Sequence, residues 1–138
     1  MTRAEVEAWV REGAIEYLGH ADDTAPIYAE ADCVVLPSYR EGMPKTLLEA
    51  ASMGLPAIAT DVPGCRQAVV DGETGLLCTV RDASSLADTM RRMLLLPAEQ
   101  RAAMGTTARE RIVREFDERI VVGRYMEVVK GILGEAQG

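Results

Sequence analysis

The sequence of 138 residues is poor in aromatic residues and in residues that bind metal ions. Aromatic residues make up 4% of it, so any core must be built mainly from aliphatic side chains. There is a single histidine, His20, and the three cysteines, Cys33, Cys65 and Cys78, form no CxxC pair. This pattern argues against a zinc site or a disulfide framework, and free thiols fit a reducing compartment. We therefore expect no bound metal and a cytoplasmic location.

Positive charge and long apolar runs are also scarce. The net charge is −7, which argues against a nucleic-acid partner or a dedicated anionic membrane surface. No run reaches the roughly 18 apolar residues that cross a membrane. Residues 1–13 carry Glu5, Glu7 and Glu12, the wrong charge for a signal peptide. Because 48% of the residues are hydrophobic, the chain is nevertheless expected to fold as one domain.

Short apolar segments alternate with helical patterns along the chain. The predicted strands are residues 15–18, 33–36, 56–60 and 76–78, and the last predicted helix spans residues 117–134. This alternation predicts an α/β fold, a partial Rossmann-like domain whose parallel sheet has about four short strands flanked by helices. Ligands of such sheets bind beyond the carboxyl ends of the strands, where residues 37–43 are expected to lie.

Proline, glycine and a capping residue mark the helix ends. Gly13 is expected to stop the first helix, Pro44 to begin a helix and Gly54 to end it. Asp82 is expected to cap a helix that Pro97 terminates. The helix that Asp82 caps is expected to carry four apolar residues on one side: Leu86, Met90, Met93 and Leu94.

The loop that precedes the helix at residue 44 has the chemistry of a nucleotide-sugar site. A helix N-terminus offers free backbone N–H groups and a partial positive charge to phosphate oxygens. Arg40 and Lys45 add positive charge, and Gly42 lets the backbone approach a ligand closely. Glu41 and Glu49 flank this junction, and carboxylates accept hydrogen bonds from sugar hydroxyls. Both carboxylates and both cations could equally be solvated surface residues.

Residues 36–50, LPSYREGMPKTLLEA, resemble the E-x7-E region of the retaining glycosyltransferases of family 4, also called group 1. Residues 17–20, 27–32, 54–61 and 64–77 resemble the flanking segments of that family in the same order. The resemblance implies a GT-B architecture, in which two Rossmann-like domains enclose the active site. Residues 1–138 would then be a single, incomplete nucleotide-sugar-binding domain, without its first strands and without the acceptor domain.

The resemblance also implies roles for individual residues. Glu41 would be the catalytic-site residue that contacts the donor sugar, and Glu49 would hold the ribose hydroxyls. The remaining donor-binding residues would be Gly42 and Met43 near the sugar, Lys45, Thr46 and Leu47 near the diphosphate, and Gly19 and His20 near the base. Many family members have glycine where this chain has Pro44, which removes one backbone N–H from the sugar side. The nucleotide sugar is a substrate, so no cofactor is expected.

The expected function is transfer of a sugar from a nucleotide sugar, a UDP-sugar, in bacterial surface polysaccharide or glycoconjugate synthesis, with the full enzyme in the cytoplasm or at the inner membrane surface. The fragment itself is expected to be inactive, because the arginine and lysine that hold the diphosphate in the family have no counterpart here. Two alternatives remain: a non-catalytic nucleotide-sugar-binding or oligomerisation module, and an unrelated flavodoxin-like regulatory domain. Without the first strands, residues 33–36 would form a bare strand edge. That edge would pair with a second copy to give a homodimer, or with residues 15–18.

Overall fold

A computed structural model of the chain describes residues 3–16, 18, 24–37 and 44–115. Within these ranges the chain forms three strands and six helices in alternating order. The strands are β1 (Val34–Leu36), β2 (Ala57–Thr60) and β3 (Gly75–Cys78). The helices are α1 (Arg3–Arg11), α2 (Ala25–Ala29), α3 (Lys45–Ser52), α4 (Pro63–Ala68), α5 (Ala83–Leu95) and α6 (Ala98–Glu115). The last predicted helix, residues 117–134, lies outside the described residues.

The strands form one parallel sheet in the order β1-β2-β3. Val35 lies opposite Ile58, and Ile58 lies opposite Leu76. All four residues of β2 are buried, as expected for a central strand that is covered on both faces. Because α3 connects β1 to β2 and α4 connects β2 to β3, the prediction of an α/β fold with a parallel sheet flanked by helices is confirmed.

The predicted strand at residues 15–18 is wrong for the three of these residues that the structure describes. Residues 15, 16 and 18 belong to no strand, and Ile15 and Leu18 are exposed. A brief apolar alternation does not form a strand without a neighbour that accepts its backbone hydrogen bonds. Among the described residues β1 pairs with β2 alone, so a rearrangement that places residues 15–18 beside β1 is also not found. Pairing of this edge with a second copy remains a prediction.

The sheet separates two apolar clusters. On one face Ile58 and Leu76 pack with Met93 of α5. The opposite face carries the larger cluster, to which α3, α4 and α6 contribute. Its buried members are Leu47, Leu48, Ala51, Ala57, Ala59, Val62, Cys65, Ala68, Val69, Ala108 and Ile112. The alternation of Ala57, Ile58 and Ala59 between the two clusters follows the period of two of a β-strand.

Helix α5 begins as its sequence predicts. The Asp82 side chain accepts a hydrogen bond from the backbone N–H of Ser85 at 2.9 Å. The Ser85 hydroxyl in turn accepts a hydrogen bond from the backbone N–H of Thr79 at 2.9 Å, which ties the helix start to the end of β3. The predicted cap is therefore confirmed, and it also orders the chain that follows β3.

Replacing Asp82 with alanine should lower the free energy of unfolding by about 1 kcal/mol, because it leaves the Ser85 N–H without its cap. Urea denaturation followed by circular dichroism would measure this loss. Asp88→Ala is the matched control, since Asp88 is an exposed residue of the same helix that pairs with Arg91. We expect Asp88→Ala to change stability by less than about 0.5 kcal/mol. Equal losses in the two variants would contradict the capping role.

Candidate functional site

The N-terminus of α3 lies beyond the carboxyl end of β1. Pro44 is the N-cap, with φ −70° and ψ 120°, and its carbonyl accepts hydrogen bonds from the N–H groups of Leu47 at 3.2 Å and Leu48 at 3.3 Å. The N–H groups of Lys45 and Thr46 precede this first intrahelical turn, so the helix itself offers them no carbonyl partner. An anion at this end of α3 would meet two backbone donors and the positive end of the helix dipole.

Three of the predicted donor-binding residues form this first turn. Lys45 is exposed and Thr46 is half-buried, whereas the side chain of Leu47 is buried in the core. Leu47 can therefore meet a ligand only through its backbone, whose N–H also donates to the Pro44 carbonyl at 3.2 Å, and its role near the diphosphate stays a prediction. The burial of Leu47 also fixes the rotation of α3 about its axis, because that side chain must face the sheet.

Glu49 lies one turn after Lys45 and is half-buried. Its Oε2 atom accepts a hydrogen bond from the hydroxyl of Tyr28 at 3.2 Å, in a partly buried environment. Tyr28 belongs to α2, so this hydrogen bond joins two helices that precede and follow β1. The structure thus places a carboxylate with a defined partner next to the helix N-terminus.

Five other predicted site residues lie outside the described residues. They are the predicted sugar-contacting residues Glu41, Gly42 and Met43, and the residues predicted near the base, Gly19 and His20. Their roles remain predictions. The described part of the site is therefore the half that α3 carries: Lys45, Thr46, Leu47 and Glu49.

A cleft of about 570 Å³ opens at the carboxyl ends of all three strands. Pro37 follows β1, Thr60 ends β2, and Cys78 ends β3. The sequence pointed only to the loop after β1. The loops after the other two predicted strands could also have been predicted to line this cleft, because the carboxyl ends of parallel strands meet at one edge of a sheet. The residues that follow β3 in the cleft wall are Thr79, Arg81 and Asp82.

The thiol in this cleft is not activated. Cys78 is buried, and burial, with a smaller contribution from the charge of Asp82, raises its pKa above the usual value. A thiol with a raised pKa stays protonated near neutral pH and is a poor nucleophile. Cys33, Cys65 and Cys78 form no disulfide.

The described residues contain no group of three or more histidine, cysteine or acidic side chains that could hold a metal ion. In the same part of the chain, no helix has both the length and the apolar character to cross a membrane. Within the described residues, helix α3 thus offers a helix N-terminus and a held carboxylate, whereas the cleft at the strand ends is lined by residues of other elements.

Solved structures place this fold among the GT-B glycosyltransferases. Sucrose-phosphate synthase from Thermosynechococcus elongatus superposes with a TM-score of 0.77 and 28% sequence identity, covering 96% of this chain and 35% of that one. Anabaena Alr3699/HepE, solved in complex with UDP-glucose, superposes with a TM-score of 0.73 and 21% identity, covering 96% of this chain and 36% of that one. At that lower identity the likeness shows the fold alone.

The family follows from sequence. The family described as Glycosyl transferases group 1 matches residues 1–95. The N-acetyl-alpha-D-glucosaminyl L-malate synthase of Bacillus anthracis is 34% identical over 122 residues, which are 88% of this chain and 32% of that protein. The chain therefore belongs to the group 1 glycosyl transferases, as the segment at residues 36–50 predicted, and it spans about a third of the length of such relatives. The alternative of an unrelated flavodoxin-like regulator is wrong.

Proposed function

We propose that this chain is the donor-binding part of a retaining glycosyltransferase and that it binds a nucleotide sugar, a UDP-sugar. The first turn of α3 would face the diphosphate, and Glu49 would accept hydrogen bonds from the ribose hydroxyls. The observation that carries this proposal is the half-buried carboxylate of Glu49, held by Tyr28 one turn from the N-terminus of α3, in a chain of this family.

The phosphate end of the proposed site rests on the electrostatics of α3. This helix is eight residues long, and its axial dipole places a partial positive charge at Lys45. The backbone N–H groups of the first turn donate toward the same point. The exposed ammonium group of Lys45 adds a full charge there. A diphosphate bound at this end would therefore be stabilised by the backbone donors and by the charge of Lys45.

The ribose end rests on the position of Glu49. It lies four residues after Lys45, which is about 6 Å along a helix axis, and helical side chains tilt back toward the N-terminus. That offset is comparable to the separation between a phosphate and the hydroxyls of its ribose. A carboxylate has two oxygens and about four acceptor positions. Tyr28 occupies one of them, and the described residues offer the carboxylate no second hydrogen bond, so acceptor positions remain for a vicinal diol.

Several finer parts of the proposal rest on the family resemblance. Glu41 would contact the transferred sugar, Gly42 and Met43 would approach it through their backbone, and the base would lie near Gly19 and His20. The complete enzyme would act in bacterial surface polysaccharide or glycoconjugate synthesis, in the cytoplasm or at the inner membrane surface. Because the chain spans a third of its relatives, we propose that it binds the donor but does not transfer sugar by itself. The UDP-glucose complex of Anabaena HepE supports the donor-binding part of this proposal, since that protein shares the fold.

Calorimetric titration with UDP, GDP, UDP-glucose and inorganic pyrophosphate tests the proposal. We expect Glu49→Gln to weaken UDP binding by about 10-fold, because hydrogen bonds to a charged acceptor are replaced by weaker ones. Pyrophosphate binding should change by less than about 2-fold, since it has no ribose. Glu99→Gln, which alters an exposed carboxylate in the first turn of α6, is the matched control and should leave both ligands unaffected.

Two outcomes would overturn the proposed function. One is the absence of binding by every nucleotide at millimolar concentration. The other is an equal loss of UDP and pyrophosphate binding in Glu49→Gln, which would show that Glu49 acts on the phosphate end or on the fold rather than on the ribose.

A further inference from the structure

We infer that Tyr28 is a positioning residue of the nucleotide site: its hydroxyl fixes the Glu49 carboxylate so that the site selects ribonucleotides over 2′-deoxyribonucleotides. This inference rests on the proposed function, since it requires that Glu49 accept hydrogen bonds from ribose. Tyr28 lies outside the E-x7-E segment, and its contact with Glu49 becomes visible only in three dimensions.

The geometry that carries the inference is the hydrogen bond between two helices. The Tyr28 hydroxyl donates to Oε2 of Glu49 at 3.2 Å across a separation of 21 residues. Both side chains are half-buried, so water competes less for the carboxylate than it would at an open surface. Ala25, at the start of the helix that carries Tyr28, is fully buried. This packing holds the backbone of α2 in place and so limits the positions that the Tyr28 hydroxyl can take.

The chemical consequence is an ordered carboxylate. A free glutamate side chain samples many rotamers and loses that freedom when it binds a ligand. A donor that already holds Oε2 removes part of this loss before the ligand arrives, which is preorganisation. It also leaves Oε1 without a hydrogen-bond partner among the described residues, and it sets the plane in which both ribose hydroxyls can donate. A ligand that lacks the 2′-hydroxyl can donate only one ribose hydrogen bond to this carboxylate, so ordering of the carboxylate strengthens its binding less.

A different role is also compatible with the same contact. The hydrogen bond could simply tie α2 to α3, in which case its loss would lower stability and weaken every ligand to the same extent. The two roles differ in one measurable quantity, the ratio of the dissociation constants for 2′-deoxy-UDP and UDP. This ratio is insensitive to the fraction of protein that is folded, because both ligands are titrated into the same sample.

The test is Tyr28→Phe, which removes the hydroxyl and keeps the ring. We expect UDP binding to weaken by about 3- to 10-fold, in line with the loss of one hydrogen bond. Binding of 2′-deoxy-UDP should weaken less, so the selectivity ratio falls, and pyrophosphate binding should change by less than about 2-fold. In a Glu49→Gln background, Tyr28→Phe should add less than about 2-fold to the loss for UDP, because the two residues act as one unit.

The outcomes separate the two proposals. If UDP binds and Glu49→Gln weakens it selectively, but Tyr28→Phe leaves the selectivity ratio unchanged, the inference about Tyr28 is overturned while the proposed function stands. A uniform loss for all three ligands in Tyr28→Phe, or a full loss that persists in the Glu49→Gln background, would also overturn it. If the wild-type chain binds no nucleotide, both proposals fall together.

Discussion

Gly105→Ala is expected to lower the free energy of unfolding by about 3 kcal/mol, although alanine is the better helix former. In an exposed helix interior this substitution would stabilise the chain by about 1 kcal/mol. Gly105 is buried in α6, and a Cβ there would overlap the carbonyl oxygen of Gly54 and lie 2.8 Å from its carbonyl carbon. Both of these atoms belong to the backbone, so no side-chain rotation relieves the overlap, and overpacking of this kind is costly.

Urea denaturation of Gly105→Ala and the wild type measures the effect. Thr106→Ala is the matched control, because Thr106 is the next residue of the same helix and is exposed. Its hydroxyl donates only to the carbonyl of Ala102 within α6, so we expect a change of less than about 0.5 kcal/mol. Stabilisation of the chain by Gly105→Ala would show that α6 does not pack closely on the turn at Gly54.

The same packing supports the candidate site. Gly54, with φ +73°, forms the turn that ends α3 and leads into β2, and α6 lies directly on this turn. Arg111 of α6 also donates to the carbonyls of Gln67 at 2.7 Å and Ala68 at 3.0 Å, at the end of α4. Helix α6 therefore holds two of the helices that connect the strands. A displacement of α6 should therefore disturb α3, which carries the candidate site, as well as lower stability.

The element boundaries could be predicted wherever a single residue type has a local effect on the backbone. Pro44 and Pro97 stand at helix boundaries, Gly54 ends α3, and Asp82 caps α5, as the sequence indicated. These effects act within one turn of the chain, so they need no knowledge of the tertiary structure. The buried central strand β2 was equally clear, because a run of apolar residues bounded by turn signals is typical of parallel sheets.

Features that depend on a distant partner could not be predicted in the same way. Residues 15–18 have a strand-like alternation, yet the described ones among them pair with no strand, since pairing depends on a neighbour that the local pattern does not specify. The contact between Tyr28 and Glu49 likewise depends on how α2 and α3 pack across β1. The cleft at the strand ends brings Thr60 and Cys78 together for the same reason.

For the candidate site, the sequence predicted the helix and the carboxylate but not the donor that holds it. Glu49 and the first turn of α3 were identified from the motif and from the chemistry of helix termini. The partner of Glu49 is Tyr28, which lies in the family-like segment at residues 27–32, but the resemblance gave this tyrosine no role. Finding it required the distance between two side chains, which spacing along one chain does not give.

In helix α5 the apolar residues on one side differ in how far they are buried, which their spacing alone does not predict. Leu86, Met90, Met93 and Leu94 fit one side of a helix, but Met90 and Leu94 are 40% and 69% exposed, whereas Met93 is fully buried. Helix α5 packs on one face of a small three-stranded sheet along a narrow line of contact, so neighbouring apolar residues on the same side of the helix differ greatly in burial. Periodicity predicts the side of the helix that faces the core but not the width of the contact.

Met93→Ala and Leu94→Ala should therefore differ sharply in stability, although they are consecutive residues of α5. Met93 packs against Ile58 and Leu76, and its truncation should leave a cavity that costs about 3 kcal/mol. The exposed Leu94 should cost less than about 1 kcal/mol, because truncating it leaves no enclosed cavity. Methionine and leucine have helix propensities close to each other, so the comparison isolates burial. Denaturant titration of the two variants measures both losses. Equal losses would mean that Leu94 is covered in solution, and the narrow contact of α5 with the sheet would then be wrong.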